Sequence, residues 1–308
     1  MTAELYRRML LSRLIEERLT ELASGLLKGL PLHLNLGQEA TPMAVGAQRA
    51  DPDVMVSTHR GLGHCLGWGA DPATLLAETV GRRGGYARGL AGHMHVVDPG
   101  TGILGTNGIV GGGLPIAVGA AVAMQRQGLD GIAVAFTGDG AANTGAAHEA
   151  LNMAAAWKAP VLFVCENNGL AEMTYSGPQT GGNLPERAAA YGLRVAAVDG
   201  ADVEAVYDAA GELLAAVRGG EGPAYLHAET FRASGHFAGD LQHYRDIDDA
   251  EQAQSHDPIE RLVASGSLGE YAVSIRADVQ QQVDALFEEV FAMDEPTAAD
   301  LMELGRLI

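Results

Sequence analysis

Between residues 132 and 230 the chain alternates short, unbroken apolar runs with helical stretches, and this alternation restricts the fold more than any other feature. Ile132–Thr137 and Val161–Cys165 are apolar without interruption. A strand that is apolar on both sides belongs in a parallel sheet covered on both faces. Arg194–Val198 and Ala224–Thr230 read as further strands, with helices over 148–157 and 201–217 between them. An Ala/Val-rich helix to about Gln127 follows Gly111-Gly112-Gly113 and Pro115. The pattern predicts an α/β fold, a doubly wound, mostly parallel sheet with helices on both faces.

Outside this region the signals are weaker. Leu5, Met9, Ile15 and Leu22 recur among charged residues, so residues 1–28 read as an amphipathic helix closed near Gly25 and Gly29. Asp71 and Pro72 mark the start of a helix over 72–80. The intervening stretch to about residue 110 is rich in Gly, His and Pro, as functional loops are. From Asp257 onward the chain reads as covering helices, notably 279–293. With no internal repeat or linker, residues 1–308 are expected to form a single domain with an N-terminal helix and a C-terminal helical extension.

Composition narrows the partners. A formal net charge of −19 argues against a nucleic-acid surface, which would be basic. The longest apolar stretch, Leu114 to Met124, is about half of the roughly 20 residues a membrane helix needs. Two cysteines a hundred positions apart, Cys65 and Cys165, form no disulfide framework, and Cys165 lies inside an apolar run. A soluble, cytoplasmic protein is expected.

The chemistry concentrates just past two predicted strand ends. Gly138-Asp139-Gly140 follows the first, and Glu166-Asn167-Asn168 follows the second. Ligands of open α/β sheets bind beyond the carboxyl ends of the strands. If the two strands are neighbours, Asp139 and Asn168 reach one point and offer a hard divalent cation two oxygens. The glycines let the backbone turn and approach a ligand, and a helix starting near Gly145 adds N–H groups and a dipole that favour an anion. The competing dinucleotide fingerprint lacks its third glycine, since Asn143 takes that place. A plain tight turn is the remaining alternative. Magnesium with a diphosphate fits best, and thiamine diphosphate is the cofactor that combines them.

The run Gly138–Asn143, Glu149–Ala155, Trp157–Pro160 and Cys165–Gly169 resembles the alpha subunit of the thiamine-diphosphate-dependent decarboxylating component of 2-oxoacid dehydrogenase complexes. The resemblance extends from Tyr6-Arg7 through Leu36–Ala40 to Asp257–Arg261. Ser57–Gly61, Asn107–Gly113 and Gly235–Asp240 with Tyr244-Arg245 are most similar to acetoin dehydrogenase, whereas pyruvate and branched-chain members more often carry Tyr before the arginine.

The resemblance implies that Asp139, Asn168 and the carbonyl of Leu170 ligate magnesium. It implies that Arg60, with His59 beside it, binds the cofactor's phosphate. Gly108, Ile109 and Val110 would form the loop meeting the aminopyrimidine, while Gly140 and Ala141 would donate N–H groups to the diphosphate. His236 would act near the phosphate and in acyl transfer, the one catalytic side chain implied. His93 and His95 read as loop packing or channel lining, and Phe231 and Phe237 as packing. Leu62 stands where acetoin-type relatives carry another His, implying a missing hydrogen bond. Leu170, Thr144 and residues 172–178 also depart from the family pattern, and Phe237 replaces a serine phosphorylated in some relatives.

Only the diphosphate half of a site is visible in this chain. The resemblance therefore implies a beta subunit supplying the catalytic Glu in an assembly of two alpha and two beta chains. The Gly-rich face around 105–113 and the N-terminal helix are the expected contacts. A lipoyl-bearing acyltransferase and a small-molecule carbonyl substrate complete the expected partners. The expected reaction is cleavage of acetoin, or of a 2-oxoacid, with transfer of the acyl unit to lipoamide. Pyruvate or branched-chain 2-oxoacid oxidation, two-carbon transfer in specialised metabolism, and a non-catalytic cofactor-binding subunit are the alternatives.

Overall fold

The computed structural model describes residues 1–25, 27, 29–245 and 255–304. In chain order the helices and strands are α1 (Thr2–Ala23), α2 (Ala40–Gly46), β1 (Val54–Val56), α3 (Gly61–Trp68), α4 (Pro72–Thr79), β2 (Ile103–Gly105), α5 (Gly113–Gln127), β3 (Ala133–Gly138), α6 (Gly145–Trp157) and β4 (Val161–Asn167). They continue with β5 (Leu170–Ala171), β6 (Thr174–Tyr175), α7 (Leu184–Ala190), β7 (Arg194–Asp199), α8 (Val203–Arg218), β8 (Ala224–Glu229), α9 (Pro258–Ala264), α10 (Tyr271–Ala292) and α11 (Ala298–Leu304).

Six strands form one sheet in the order β2-β1-β3-β4-β8-β7, and every pairing in it is parallel. The unbroken apolar runs have the cause inferred from sequence. Val134, Phe136, Leu162 and Val164 enter one core, while Ala133, Ala135, Val161, Phe163 and Cys165 enter the other. Successive side chains point to opposite faces, and both faces are covered. On the first face α2, α3 and α8 pack together over the sheet and α1 lies against α10; on the second, α5 and α6 pack on each other and α5 covers β1 and β3.

The differences from expectation are local. Helix α1 ends at Ala23, and within the predicted span 1–28 Leu26 and Lys28 lie outside the described residues. Its apolar face, with Leu5, Met9, Ile15 and Leu19, is buried inside the chain and so is not open to a partner. Helix α6 begins at Gly145, where the anion-site argument expected it and three residues before the 148 read from the helical stretch, and the Thr144 side chain caps it by accepting the Ala147 N–H. That cap gives Thr144, one of the departures from the family pattern, a structural role. His93 and His95 sit on a short 3-10 turn in which His93 is buried.

Candidate functional site

The sheet reverses direction of winding between β1 and β3, and loops at the carboxyl ends of five strands enclose a cavity of about 560 Å³ there. Ser57–Arg60 follow β1, Asn107–Gly111 follow β2, Gly138–Ala141 close β3, Glu166 and Asn168 close β4, and Arg232 and His236 come after β8. Every residue singled out from sequence for cofactor or metal, from His59 to His236, lines this one cavity.

Asp139 and Asn168 meet there because β3 and β4 are paired neighbours, with Gly138 in register with Glu166. Asp139 is buried, and its Oδ2 has no hydrogen-bond partner. Burial raises its pKa, partly offset by the Ser176 hydroxyl and the N–H groups of Asn168 and Gly140. The Asn168 Oδ1 accepts the Leu170 N–H at 3.1 Å, and its Nδ2 donates to Gln38 Oε1 at 2.9 Å. Leu170 is buried at the start of the β5–β6 hairpin and also lines the cavity. Among the described residues no three or more His, Cys, Asp or Glu side chains are grouped to hold a metal. A cation here would find a carboxylate, an amide and a carbonyl, the oxygen set of a hard ion such as magnesium.

The opposite wall is cationic. Arg60 is buried and donates to the Leu34 carbonyl at 2.9 Å, to His236 Nδ1 at 3.1 Å and to the His236 carbonyl at 3.0 Å. Arg232, 1% exposed, donates to the carbonyls of Ser234 and Glu172 and to the Tyr244 hydroxyl. Both guanidinium groups are thus held by neutral acceptors. Burial, with Arg232 nearby, lowers the pKa of Arg60 to about 9. Two desolvated cations beside a buried carboxylate with one unpartnered oxygen suit an anion together with a divalent cation.

Close packing explains two glycines. A side chain at Gly140 would put Cβ 2.6 Å from that of Ala171, and one at Gly111, whose φ is +75°, would meet the Thr144 hydroxyl at 2.4 Å. The first turn of α6 contributes less than expected. A 3-10 turn over Ala141–Asn143 stands between the cavity and Gly145, so the bordering N–H groups belong to Gly140 and Ala141. The Gly140 N–H already acts on the Asp139 carboxylate. At the mouth, Ile109 and Val110 are 73% and 60% exposed.

Histidines crowd one side. Ring centroids of His33 and His59 are 5.0 Å apart, those of His33 and His236 4.8 Å, and those of His59 and His236 5.5 Å. His93 accepts the His33 N–H at 3.1 Å. Burial first, then the Arg60 charge, lowers His59 to about 2 and His33 and His236 to about 4. Arg60 donates to His236 Nδ1, so the neutral ring carries its proton on Nε2.

His64, buried behind the cavity wall, joins two residues that line it. Ser57 Oγ is 2.7 Å from His64 Nδ1, and His64 Nε2 is 2.9 Å from Glu166 Oε2, with the imidazole stacked on Phe136. Leu62 does not face the cavity: it is 2% exposed within the core, so its side chain leaves no gap among the groups lining the site. The unusual segment 172–178 supplies the turn and second strand of the β5–β6 hairpin and brings the buried Ser176 to Asp139.

Sequence reasoning passed over Arg232, Gln38, His33, Ser57, His64 and Glu166 as site residues. Gln38, Ser57 and Glu166 stood inside the quoted motifs, and an arginine two residues past a predicted strand was a usable signal for Arg232. Nothing local marked His33 or His64, whose partners are distant in sequence.

The Dehydrogenase E1 component family matches residues 6–298. The alpha subunit of acetoin:2,6-dichlorophenolindophenol oxidoreductase from Bacillus subtilis (strain 168) is 40% identical over 301 residues, covering 96% of this chain and 90% of the relative. The subunit of the same name from Cupriavidus necator is 38% identical, covering 94% and 86%. The pyruvate dehydrogenase E1 component subunit alpha of Zymomonas mobilis is 39% identical, covering 96% and 85%.

Proposed function

The chain belongs to the dehydrogenase E1 component family and is an alpha-type subunit of an oxidoreductase component; on that premise we propose that it holds the diphosphate and magnesium of thiamine diphosphate and acts on acetoin. One observation carries this reading. The Asp139 carboxylate, whose Oδ2 has no partner, and the Asn168 amide share a cavity with two buried guanidinium groups held only by neutral acceptors. Asp139, Asn168 and the Leu170 carbonyl hold magnesium, while Arg60 and Arg232 neutralise the diphosphate. Gly108, Ile109 and Val110 would border the aminopyrimidine, with His59 on the phosphate side.

When bound, thiamine diphosphate supplies an electron sink for cleaving a carbon–carbon bond beside a carbonyl. His236 keeps its Nε2 proton and orients the reacting group by donating a hydrogen bond. A beta subunit, the usual partner of an alpha subunit, completes the site with its glutamate in an assembly of two alpha and two beta chains, and a lipoyl-bearing acyltransferase accepts the acyl unit. Residues 1–308 act as one diphosphate-binding domain in the cytoplasm.

A 2-oxoacid substrate is the second reading, favoured by a pyruvate-type relative almost as similar as the acetoin-type ones. Dye-linked oxidation by the chain with its co-purifying partner tests both, with acetoin, pyruvate and a branched 2-oxoacid offered in parallel. Turnover that needs cofactor and partner, and is fastest on acetoin, is expected. Tight cofactor binding with no turnover on any of the three would point instead to a two-carbon transferase or a non-catalytic subunit.

A further inference from the structure

Gln38 occupies a position from which one side chain can serve both halves of the site. It ends the turn 32–38, which touches several cavity-building segments. The Leu34 carbonyl receives Arg60 at 2.9 Å, and the Leu36 carbonyl receives the Ala233 N–H at 2.9 Å. The turn is fixed from below by two buried carboxylates: Glu16 accepts the Asn35 N–H at 2.7 Å and Glu39 the Gly37 N–H at 3.1 Å. Gln38 itself is 1% exposed and lines the cavity.

The orientation of its amide follows from a chain of hydrogen bonds. The Leu170 N–H can only donate, so the Asn168 atom 3.1 Å from it is Oδ1. The other end of that amide is therefore Nδ2, which donates to Gln38 at 2.9 Å. Gln38 must present Oε1 there, and the Thr230 hydroxyl donates to the same oxygen at 3.0 Å. Its Nε2 is left buried without a hydrogen-bond partner. A buried donor is normally satisfied, and one that lines a cavity and is left over calls for an acceptor from a ligand.

Building on the diphosphate reading above, we propose that Gln38 is a two-ended anchor. Its Oε1 holds the Asn168 amide turned toward the cation, and its Nε2 donates to a phosphoryl oxygen. An uncharged donor beside Asn168 would suit a phosphoryl oxygen near the cation site, where a third positive charge would compete with the metal.

Two variants separate the two ends. Gln38→Glu keeps an oxygen for Asn168 and Thr230 but replaces the donor with an acceptor. Gln38→Met keeps the approximate shape and removes both ends. Thiamine diphosphate is titrated calorimetrically into the full chain with its co-purifying partner, at fixed and then varied magnesium. Gln38→Glu should lose about tenfold or more in thiamine diphosphate affinity while its magnesium requirement changes little. Gln38→Met should lose affinity and also need about tenfold more magnesium for half-saturation. Affinity within twofold of wild type in either variant, or a loss in Gln38→Glu confined to the magnesium requirement, would overturn the donor role. A wild-type complex that binds no thiamine diphosphate would overturn the underlying site reading as well.

Discussion

The histidines at the cavity mouth show how single residues acquire properties from their surroundings. His33, His59, His93 and His236 have pKa values of about 4, 2, 3 and 4, each lowered first by burial. The ordinary value is 6.5, so between pH 4 and 6.5 the unfolded chain binds protons that the folded chain refuses. This contribution to stability is therefore present at neutral pH and is lost as pH falls through that window. Glu16 and Asp139, whose pKa values burial raises, act in the opposite sense, so the test is a difference between variants. His93→Asn should flatten the pH dependence of urea unfolding between pH 4 and 6.5 by about one proton. An unchanged slope would mean that His93 is not held neutral. Arg60 was recognisable in sequence as a cation in a loop of Gly and His. The neutrality of the imidazoles was not, because it arises from neighbours up to about 200 positions away, such as His33 against His236.

Among the elements, legibility followed length and two-sided burial. Strands β3 and β4 were visible because both of their faces meet a core. Strands β1 and β2, three residues each, are too short to show a period and lay unnoticed in the Gly-rich stretch. Yet β1 carries Ser57–Arg60 to the cavity, so the sequence singled out His59 and Arg60 without the strand that positions them. The capping of α9 joins local and tertiary structure. Asp257 accepts the Ile259 N–H at 2.9 Å and the Glu260 N–H at 3.2 Å, while its other oxygen takes Arg13 at 2.7 Å. Arg13 is also paired with the fully buried Glu39 beneath the turn 32–38. Asp257→Ala should destabilise the chain by about 3 kcal/mol, since it removes a cap and half of a mostly buried ion pair. Denaturant unfolding checks this, and a loss below about 0.5 kcal/mol would show that the pair is not coupled to the fold.

At the scale of the molecule, the proposed reading makes this chain one half of a site, displayed at the cavity mouth. Ile109 and Val110 are strongly exposed on the loop after β2, beside the cavity, where a partner would dry the site. In the other expected contact, the N-terminal helix α1, the apolar face is used inside the chain, which leaves its polar face. Ile109→Asp should therefore weaken assembly with the beta subunit about tenfold, while the isolated chain unfolds as wild type does. Sedimentation of the mixed chains reads the first effect and thermal unfolding the second; undiminished assembly would move the interface elsewhere. The central claim is that this chain holds a diphosphate through a divalent cation, and its most direct test is calorimetric titration of thiamine diphosphate, with magnesium and with chelator, into wild-type and Asp139→Ala complexes. The account predicts binding in the wild type that magnesium strengthens about a hundredfold or more, and no such strengthening in the variant. Equal, magnesium-dependent affinity in the two proteins would contradict it.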